Sequence, residues 1–213
     1  MRKIPKYRKD YNFYLIYLNK YAMIIYLRHG DDTPTDTTSN KSKSIYKYDR
    51  RILGENIKAV INKTHELVEK YGYPTKIYSG PFARCRDTMM IMINEIIFMK
   101  TNVKHNFCLK CYNHEIKIKI DRKLSKHSHH LKNELDHISP QTLKYAPTKE
   151  KNNDFDTRLD KHIDSMKTHI NDNIWCITHA YVYKHIGKKL GIETPRKIDF
   201  LEHFTYQNDD HHI

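Results

Sequence analysis

The chain lacks any hydrophobic run long enough to cross a membrane, and it lacks the paired cysteines of a disulfide framework. No apolar stretch approaches the roughly 20 residues that a spanning helix needs. The four cysteines are scattered, and Cys176 lies inside an apolar segment. The sequence therefore predicts an intracellular, most simply cytoplasmic, protein of a reducing compartment.

Acidic residues are also too few to balance the basic ones. The chain has 25 Asp and Glu against 38 Lys and Arg, which gives a formal net charge of +13. This excess favours anionic partners such as phosphate esters, phosphoproteins, nucleic acid or an acidic membrane surface. Many lysines stand among Asn, Ile and Tyr, so an AT-rich genome would produce the same bias. No nucleic-acid-binding motif is recognisable, and we do not expect a nucleic-acid partner.

Residues 1–21 are predicted to be a basic, aromatic N-terminal extension, and residues 22–213 a single domain. A chain of 213 residues is long enough to bury one sizeable core. The basic start followed by an apolar stretch resembles a signal or anchor segment. Asn19 and Lys20 interrupt that stretch. Our interpretation is an accessory extension, with membrane contact as the alternative.

The segment around His29 organises the rest of the chain. Residues 22–27 are apolar and predict a buried strand, which ends in Arg28, His29 and Gly30. Open α/β sheets bind ligands at the carboxyl ends of their strands. Arginine fits phosphate, and histidine can act as a nucleophile or carry a proton. An isolated Arg-His-Gly would more simply be a polar turn, so the interpretation depends on matching parts elsewhere.

Further strands and helices alternate along the chain. The apolar spacing predicts helices over residues 53–71, from residue 83, over 155–170 behind an Asn153 or Asp154 cap, and over 181–190. Strands are predicted at 75–79, 116–120, 174–178 and 197–206. This order indicates an α/β protein, a three-layer α/β/α sandwich with a mostly parallel central sheet.

Two of these strands also end in residues suited to phosphate chemistry. The strand at 75–79 leads through a Ser-Gly-Pro turn into a helix that carries Arg84 in its first turn. Taken alone, Arg84 would more simply be a surface arginine paired with Asp87. The strand at 174–178 is followed by His179.

A Cys-x-x-Cys pair, Cys108 and Cys111, has the spacing of half a zinc site. No second pair follows, and only His105 and His114 could complete it. We therefore predict no metal, and interpret this region as a β-hairpin that leads into the strand at 116–120.

Taken together and in order, the three motifs resemble the histidine phosphatase superfamily, which has the phosphoglycerate-mutase-like fold. They are Leu-Arg-His-Gly, Tyr-Ser-Gly-Pro-Phe-Ala-Arg-x-x-Asp-Thr and Ile-Thr-His-Ala, and the resemblance covers roughly residues 22–206. It implies that His29 becomes phosphorylated, that Arg28 and Arg84 bind the substrate phosphate, and that His179 completes the catalytic clamp. It implies no metal and no cofactor.

The sequence departs from the family at the general acid. Many members carry a glutamate after a Leu-x pair in the middle of the chain, whereas Lys126 stands here. Glu134 is the possible proton donor that we name, with Asp136 and Asp31 as further candidates. Ala180 replaces the usual glycine, which is a mild change.

Within the family, the chain more closely resembles branch 1, and two further sequence features bear on its activity. Pro34 stands where acid phosphatases of the superfamily have proline, but Asp32 replaces their second arginine. The Glu-Arg-His-Tyr-Gly segment of true phosphoglycerate mutases is absent, which argues against mutase activity. The resemblance thus implies a phosphatase for a phosphoprotein or small phosphate ester. The alternative is a catalytically weak or inactive phosphate-binding protein of the same fold.

Overall fold

A computed structural model of the chain describes residues 23–31, 52, 54–101, 116–125, 152–169 and 171–207. Within these ranges the elements are β1 Met23–Arg28, α1 Ile57–Tyr71, β2 Lys76–Ser79, α2 Ala83–Thr101, β3 Lys117–Ile120, α3 Asn152–Lys167, β4 Asn173–Thr178, α4 Ala180–Lys189 and β5 His203–Tyr206. Short 3₁₀ turns span Gly54–Asn56 and Arg122–Leu124. The proposed extension, the Cys-x-x-Cys pair and the loop after the first motif lie outside the described residues.

The five strands form one sheet in the order β3-β2-β4-β1-β5. The β3–β2, β2–β4 and β4–β1 pairs are parallel, and β5 runs antiparallel to β1. The central strand β4 is buried along its whole length, as expected for an apolar run covered on both faces. The edge strand β3 alternates between more and less exposed residues, in line with its Ile-Lys alternation.

Helices cover both faces of the sheet. One apolar core joins alternate residues of β1 and β4, among them Ile25 and Trp175, to α1 and α2. The other joins the intervening residues, among them Tyr26 and Cys176, to α3 and α4. The fold prediction of an α/β/α sandwich with a mostly parallel sheet is therefore confirmed. Among the described residues, no helix is both long and apolar enough to cross a bilayer.

Three predicted element bounds were wrong. The last strand covers only His203–Tyr206, because the backbone turns just before it at Leu201, where φ is 61°. A 3₁₀ turn precedes α1, which begins at Ile57 and not at residue 53. Helix α3 begins at Asn152, so Asp154 lies inside its first turn, where a carboxylate is favourable near the positive end of the helix dipole.

Candidate active site

Three neighbouring strands in the middle of the sheet end at the same edge. Arg28 at the end of β1 is in register with Thr178 at the end of β4, and Ser79 at the end of β2 is in register with Ile177. The residues that follow these strands are therefore brought together. They are His29 after β1, His179 after β4, and the turn after β2 that leads to Arg84.

His29 is only 4% exposed, and each of its ring nitrogens makes a hydrogen bond. Its Nε2 lies 3.2 Å from Arg84 Nε, and its Nδ1 lies 2.7 Å from the Gly30 carbonyl oxygen. Because a guanidinium only donates, Nε2 must accept from Arg84, and the ring proton must therefore be on Nδ1, which donates to Gly30. The imidazole is thus neutral, with the lone pair of Nε2 turned toward Arg84.

Arg84 is buried against His29, so its interpretation as a surface arginine is wrong: it is 9% exposed. Its guanidinium carbon lies 4.8 Å from the centre of the Phe82 ring. Asp87, the surface partner considered above, accepts from the Ile52 backbone N–H at 3.2 Å. Arg84 therefore brings a buried positive charge to the Nε2 side of His29.

His179 lies beside His29, with ring centroids 5.2 Å apart and planes inclined by 67°. Phe82 contacts the same imidazole edge-on at 4.8 Å, and Cys85 Sγ lies 3.5 Å from its Nε2. His179 is also the N-cap residue of α4, and Arg84 lies in the first turn of α2. The positive ends of two helix dipoles thus face the region between the two histidines, which suits an anion.

Arg28 approaches the site from the side of β5. Its Nη1 donates to the Ile198 carbonyl oxygen, and its guanidinium carbon lies 3.8 Å from the centre of the Phe200 ring. Phe200 in turn lies 5.8 Å from the His29 ring, centroid to centroid. The sequence predicts Phe200 only as a residue of the last strand, and no sequence signal marks it as a neighbour of the site.

The turn after His29 is fixed by Thr88 and by glycine. The Gly30 N–H donates to Thr88 Oγ1 at 3.0 Å, and that hydroxyl donates to the Arg84 carbonyl oxygen at 2.7 Å. A Cβ on Gly30 would lie 2.9 Å from Val60 Cγ2, so α1 packs directly on this backbone. Thr88 therefore links the histidine turn to the helix that carries Arg84, a role that its place in the second motif did not reveal.

A second supported turn, Arg122–Leu124, lies beside the site. The Leu124 carbonyl oxygen accepts from Thr178 Oγ1 at 2.8 Å, and Arg158 Nη1 donates to carbonyl oxygens of the same turn at 2.6 and 3.3 Å. This turn leads to position 126, where the resemblance described above would place a glutamate and the chain has Lys126.

A buried carboxylate–imidazole pair anchors the start of this turn. Asp121 Oδ2 lies 2.9 Å from His162 Nδ1. Burial acts to raise the pKa of Asp121, but the hydrogen bond and charge of His162 and the Lys123 N–H outweigh it and hold that pKa below its usual value. Asp121 is therefore a fixed negative charge on the turn.

The proton-donor candidates differ in whether they lie within the described residues. Lys126, Glu134 and Asp136 lie outside the described residues, so their roles stay predictions. Asp31 is described and partly exposed, directly after Gly30. Within the described ranges, no group of three or more His, Cys, Asp or Glu could hold a metal ion.

Comparison with known proteins identifies the fold. No protein-family model and no curated protein sequence matches the chain significantly. Solved structures do match. The ecdysone phosphate phosphatase of Bombix mori, in complex with tungstate, aligns with a TM-score of 0.57 at 13% identity, over 86% of this chain and 88% of that one. A phosphoglycerate mutase from Bacillus anthracis aligns with a TM-score of 0.54 at 15% identity, over 89% and 91%.

A third similar structure is a mycobacterial glucosyl-3-phosphoglycerate phosphatase in complex with VO3. It aligns with a TM-score of 0.52 at 12% identity, over 86% of this chain and 90% of that one. The chain therefore has the fold of the histidine phosphatase superfamily, the phosphoglycerate-mutase-like fold. At these identities the likeness defines the fold and leaves the reaction to be argued from the site.

Proposed function

We infer that this protein is a phosphatase that acts through a phosphohistidine on His29, with a phosphoprotein or a small phosphate ester as substrate. The observation that carries the proposal is the state of His29: a buried, neutral imidazole whose Nε2 lone pair faces the guanidinium of Arg84. A nucleophile for phosphorus needs an unprotonated nitrogen and positive charge around the equatorial oxygens, and here Nε2 accepts a hydrogen bond from Arg84 and carries no proton of its own.

In the first step, His29 Nε2 attacks phosphorus and the bond to the leaving oxygen breaks. Arg84 moves its hydrogen bond from Nε2 to a phosphoryl oxygen, and Arg28 and a protonated His179 bind the others. The leaving oxygen takes a proton from a general acid, for which Glu134 is our candidate, or from water. Water then attacks the phosphohistidine, the P–N bond breaks, and phosphate leaves with His29 restored.

The fold comparisons support this choice of reaction class. Two of the three similar structures above are phosphatases by description, and both hold oxyanions, tungstate and VO3. The alternative remains a phosphate-binding protein that keeps the arginines and histidines but turns substrate over poorly. The missing family glutamate at position 126 motivates that alternative.

The decisive test is His29→Ala. We expect hydrolysis of an aryl phosphate to fall by about 10³-fold or more, since the covalent step is lost. Vanadate binding should persist within about tenfold, because Arg84 and Arg28 supply most of the charge. The matched control is His65→Ala on the exposed surface of α1, where the imidazole pairs with Glu95 at 2.6 Å. This variant should keep wild-type activity.

The intermediate is tested separately with a radiolabelled aryl phosphate quenched during turnover. The wild-type protein should carry label that survives base and is lost in acid, as a phosphoramidate does, and His29→Ala should carry none. Activity that persists in His29→Ala would show that another residue attacks. Tight vanadate binding without turnover of any substrate would favour the phosphate-binding alternative.

A further inference from the structure

Phe200 lies at the boundary between the candidate site and solvent. Its ring contacts both Arg28, at 3.8 Å from the guanidinium carbon, and His29, at 5.8 Å between centroids. The residue is nevertheless 37% exposed, whereas His29 beneath it is 4% exposed. The guanidinium occupies one face of the ring, so the exposed part of Phe200 is available beside the buried nucleophile.

In the part of the chain that the structure describes, the large exposed apolar side chains lie at this end of the sheet. Among the described residues, the other exposed large hydrophobic side chains are Ile57 and Tyr181. Ile57 begins α1, one turn before the residue that packs on Gly30, and Tyr181 lies two residues after His179. Single exposed apolar side chains are ordinary in proteins. Here all three lie at the sheet edge that carries the candidate site, and Phe200 contacts the site itself.

We propose that the substrate is an aromatic phosphate whose ring packs against Phe200 while its phosphoryl group is bound by His29, Arg28 and Arg84. This inference concerns the same site and rests on the proposed function. A ring joined to phosphorus through one oxygen stays close to the bound phosphoryl group, and Phe200 is an exposed aromatic side chain that contacts His29. Aromatic pairs add about 2- to 10-fold in affinity beyond the burial of apolar area.

The test must separate recognition of the ring from the ease with which the leaving group departs. Benzyl phosphate and cyclohexylmethyl phosphate both release a primary alkoxide and have similar size, so they differ mainly in ring aromaticity. We expect wild-type KM to be about 2- to 10-fold lower for the benzyl ester. Phenylphosphonate and cyclohexylphosphonate, which are not hydrolysed, should show the same preference in direct binding by calorimetry.

Three variants assign the preference to one side chain. Phe200→Leu keeps an apolar side chain without an aromatic face, and should remove the preference while cyclohexylphosphonate affinity stays within about threefold. Phe200→Tyr should retain the preference. Tyr181→Leu is the matched control, because Tyr181 is an exposed aromatic at the same edge whose ring contacts are to Phe155 and His185. It should retain the preference fully.

The outcomes separate this inference from the proposed function. A preference for phenylphosphonate that is lost in Phe200→Leu supports the inference even if no substrate is hydrolysed, in which case the proposed function alone fails. Hydrolysis without any aromatic preference, or a preference that survives Phe200→Leu, overturns the inference. Equal weakening of both phosphonates in Phe200→Leu also overturns it, because Phe200 would then act only by holding Arg28.

If the preference for an aromatic ring is found, two substrates show whether that ring belongs to a protein or to a small molecule. A lower KM for a phosphotyrosine peptide than for phenyl phosphate would assign the ring to a protein side chain. The reverse order would assign it to a small aryl phosphate.

Discussion

Replacing Thr88 by valine should weaken both the fold and the candidate site, because one hydroxyl serves both. Thr88 is fully buried, accepts the Gly30 N–H at 3.0 Å and donates to the Arg84 carbonyl oxygen at 2.7 Å. Valine has nearly the same shape but leaves the Gly30 N–H without its acceptor. A buried donor left unsatisfied costs about 1–3 kcal/mol, so we expect that loss in the free energy of unfolding.

Thr64→Val provides a matched control for this substitution. Thr64 is also fully buried in a helix, and its hydroxyl donates to the Val60 carbonyl oxygen at 2.8 Å, the same contact four residues back that Thr88 makes. Loss of such a hydroxyl bond is close to neutral, because the carbonyl keeps its helical partner. The difference between Thr88→Val and Thr64→Val in urea denaturation therefore measures the Gly30 hydrogen bond alone.

Phosphatase activity should likewise fall in Thr88→Val and stay unchanged in Thr64→Val. The Gly30 carbonyl oxygen holds His29 Nδ1, so freeing this turn lets the imidazole rotate away from the attacking geometry. A misplacement of about 1 Å costs up to about 10²-fold in rate, and Thr88→Val should lose part or all of that in kcat. Thr88→Ser, which keeps the hydroxyl, should recover most of it. Identical unfolding and rates for Thr88→Val and Thr64→Val would refute the reasoning.

Two further predictions concern packing and pH. An added Cβ at Gly80 would lie 3.0 Å from the Leu124 carbonyl oxygen, whereas at Gly54 it would meet nothing within 4 Å. Gly80→Ala should thus lower the free energy of unfolding by about 1–3 kcal/mol, whereas Gly54→Ala should leave it unchanged. Equal stabilities of the two variants in urea denaturation would contradict this prediction. Burial, aided by the charge of Lys63, lowers the pKa of His203 to about 4 from 6.5. The folded protein favours the neutral imidazole, so the free energy of unfolding should decrease as pH falls from 6.5 to 4. The decrease should be about 1–2 kcal/mol once solvent screening is allowed for, and His203→Gln should remove it. Parallel denaturation curves for the two proteins across that range would contradict it.

The sheet could be predicted from sequence because its strands carry strong local signals. Residues 22–27 and 174–178 are short apolar runs that end abruptly in polar residues, and parallel strands align such ends at one edge. Because the carboxyl ends of β1, β2 and β4 are aligned, the residues that follow them, His29, Arg84 and His179, could be expected to lie close together. The chemical roles of these residues remain predictions.

The contacts of Phe200 and Thr88 could not be predicted in the same way. Phe200 reaches the site because the chain turns at Leu201, and a positive φ at a leucine has no local sequence signal. Thr88 acts through a hydrogen bond to Gly30, which is 58 residues away in sequence. Contacts of this kind depend on how elements pack, and a single sequence does not report packing.

The central strand β4 pairs with strands that are far from it in sequence, and this affects how fast the molecule folds. His29 and Arg84 are 55 residues apart in sequence, and β1 pairs with β4, where Met23 lies opposite Asn173. The residues that would bind phosphate therefore meet only after long loops have closed, which is the slow part of folding for non-local topologies. An oxyanion bound there would stabilise the native state by mass action and should slow unfolding of the sheet as a whole. Phosphate or vanadate is thus expected to shift the thermal midpoint in proportion to the logarithm of its concentration.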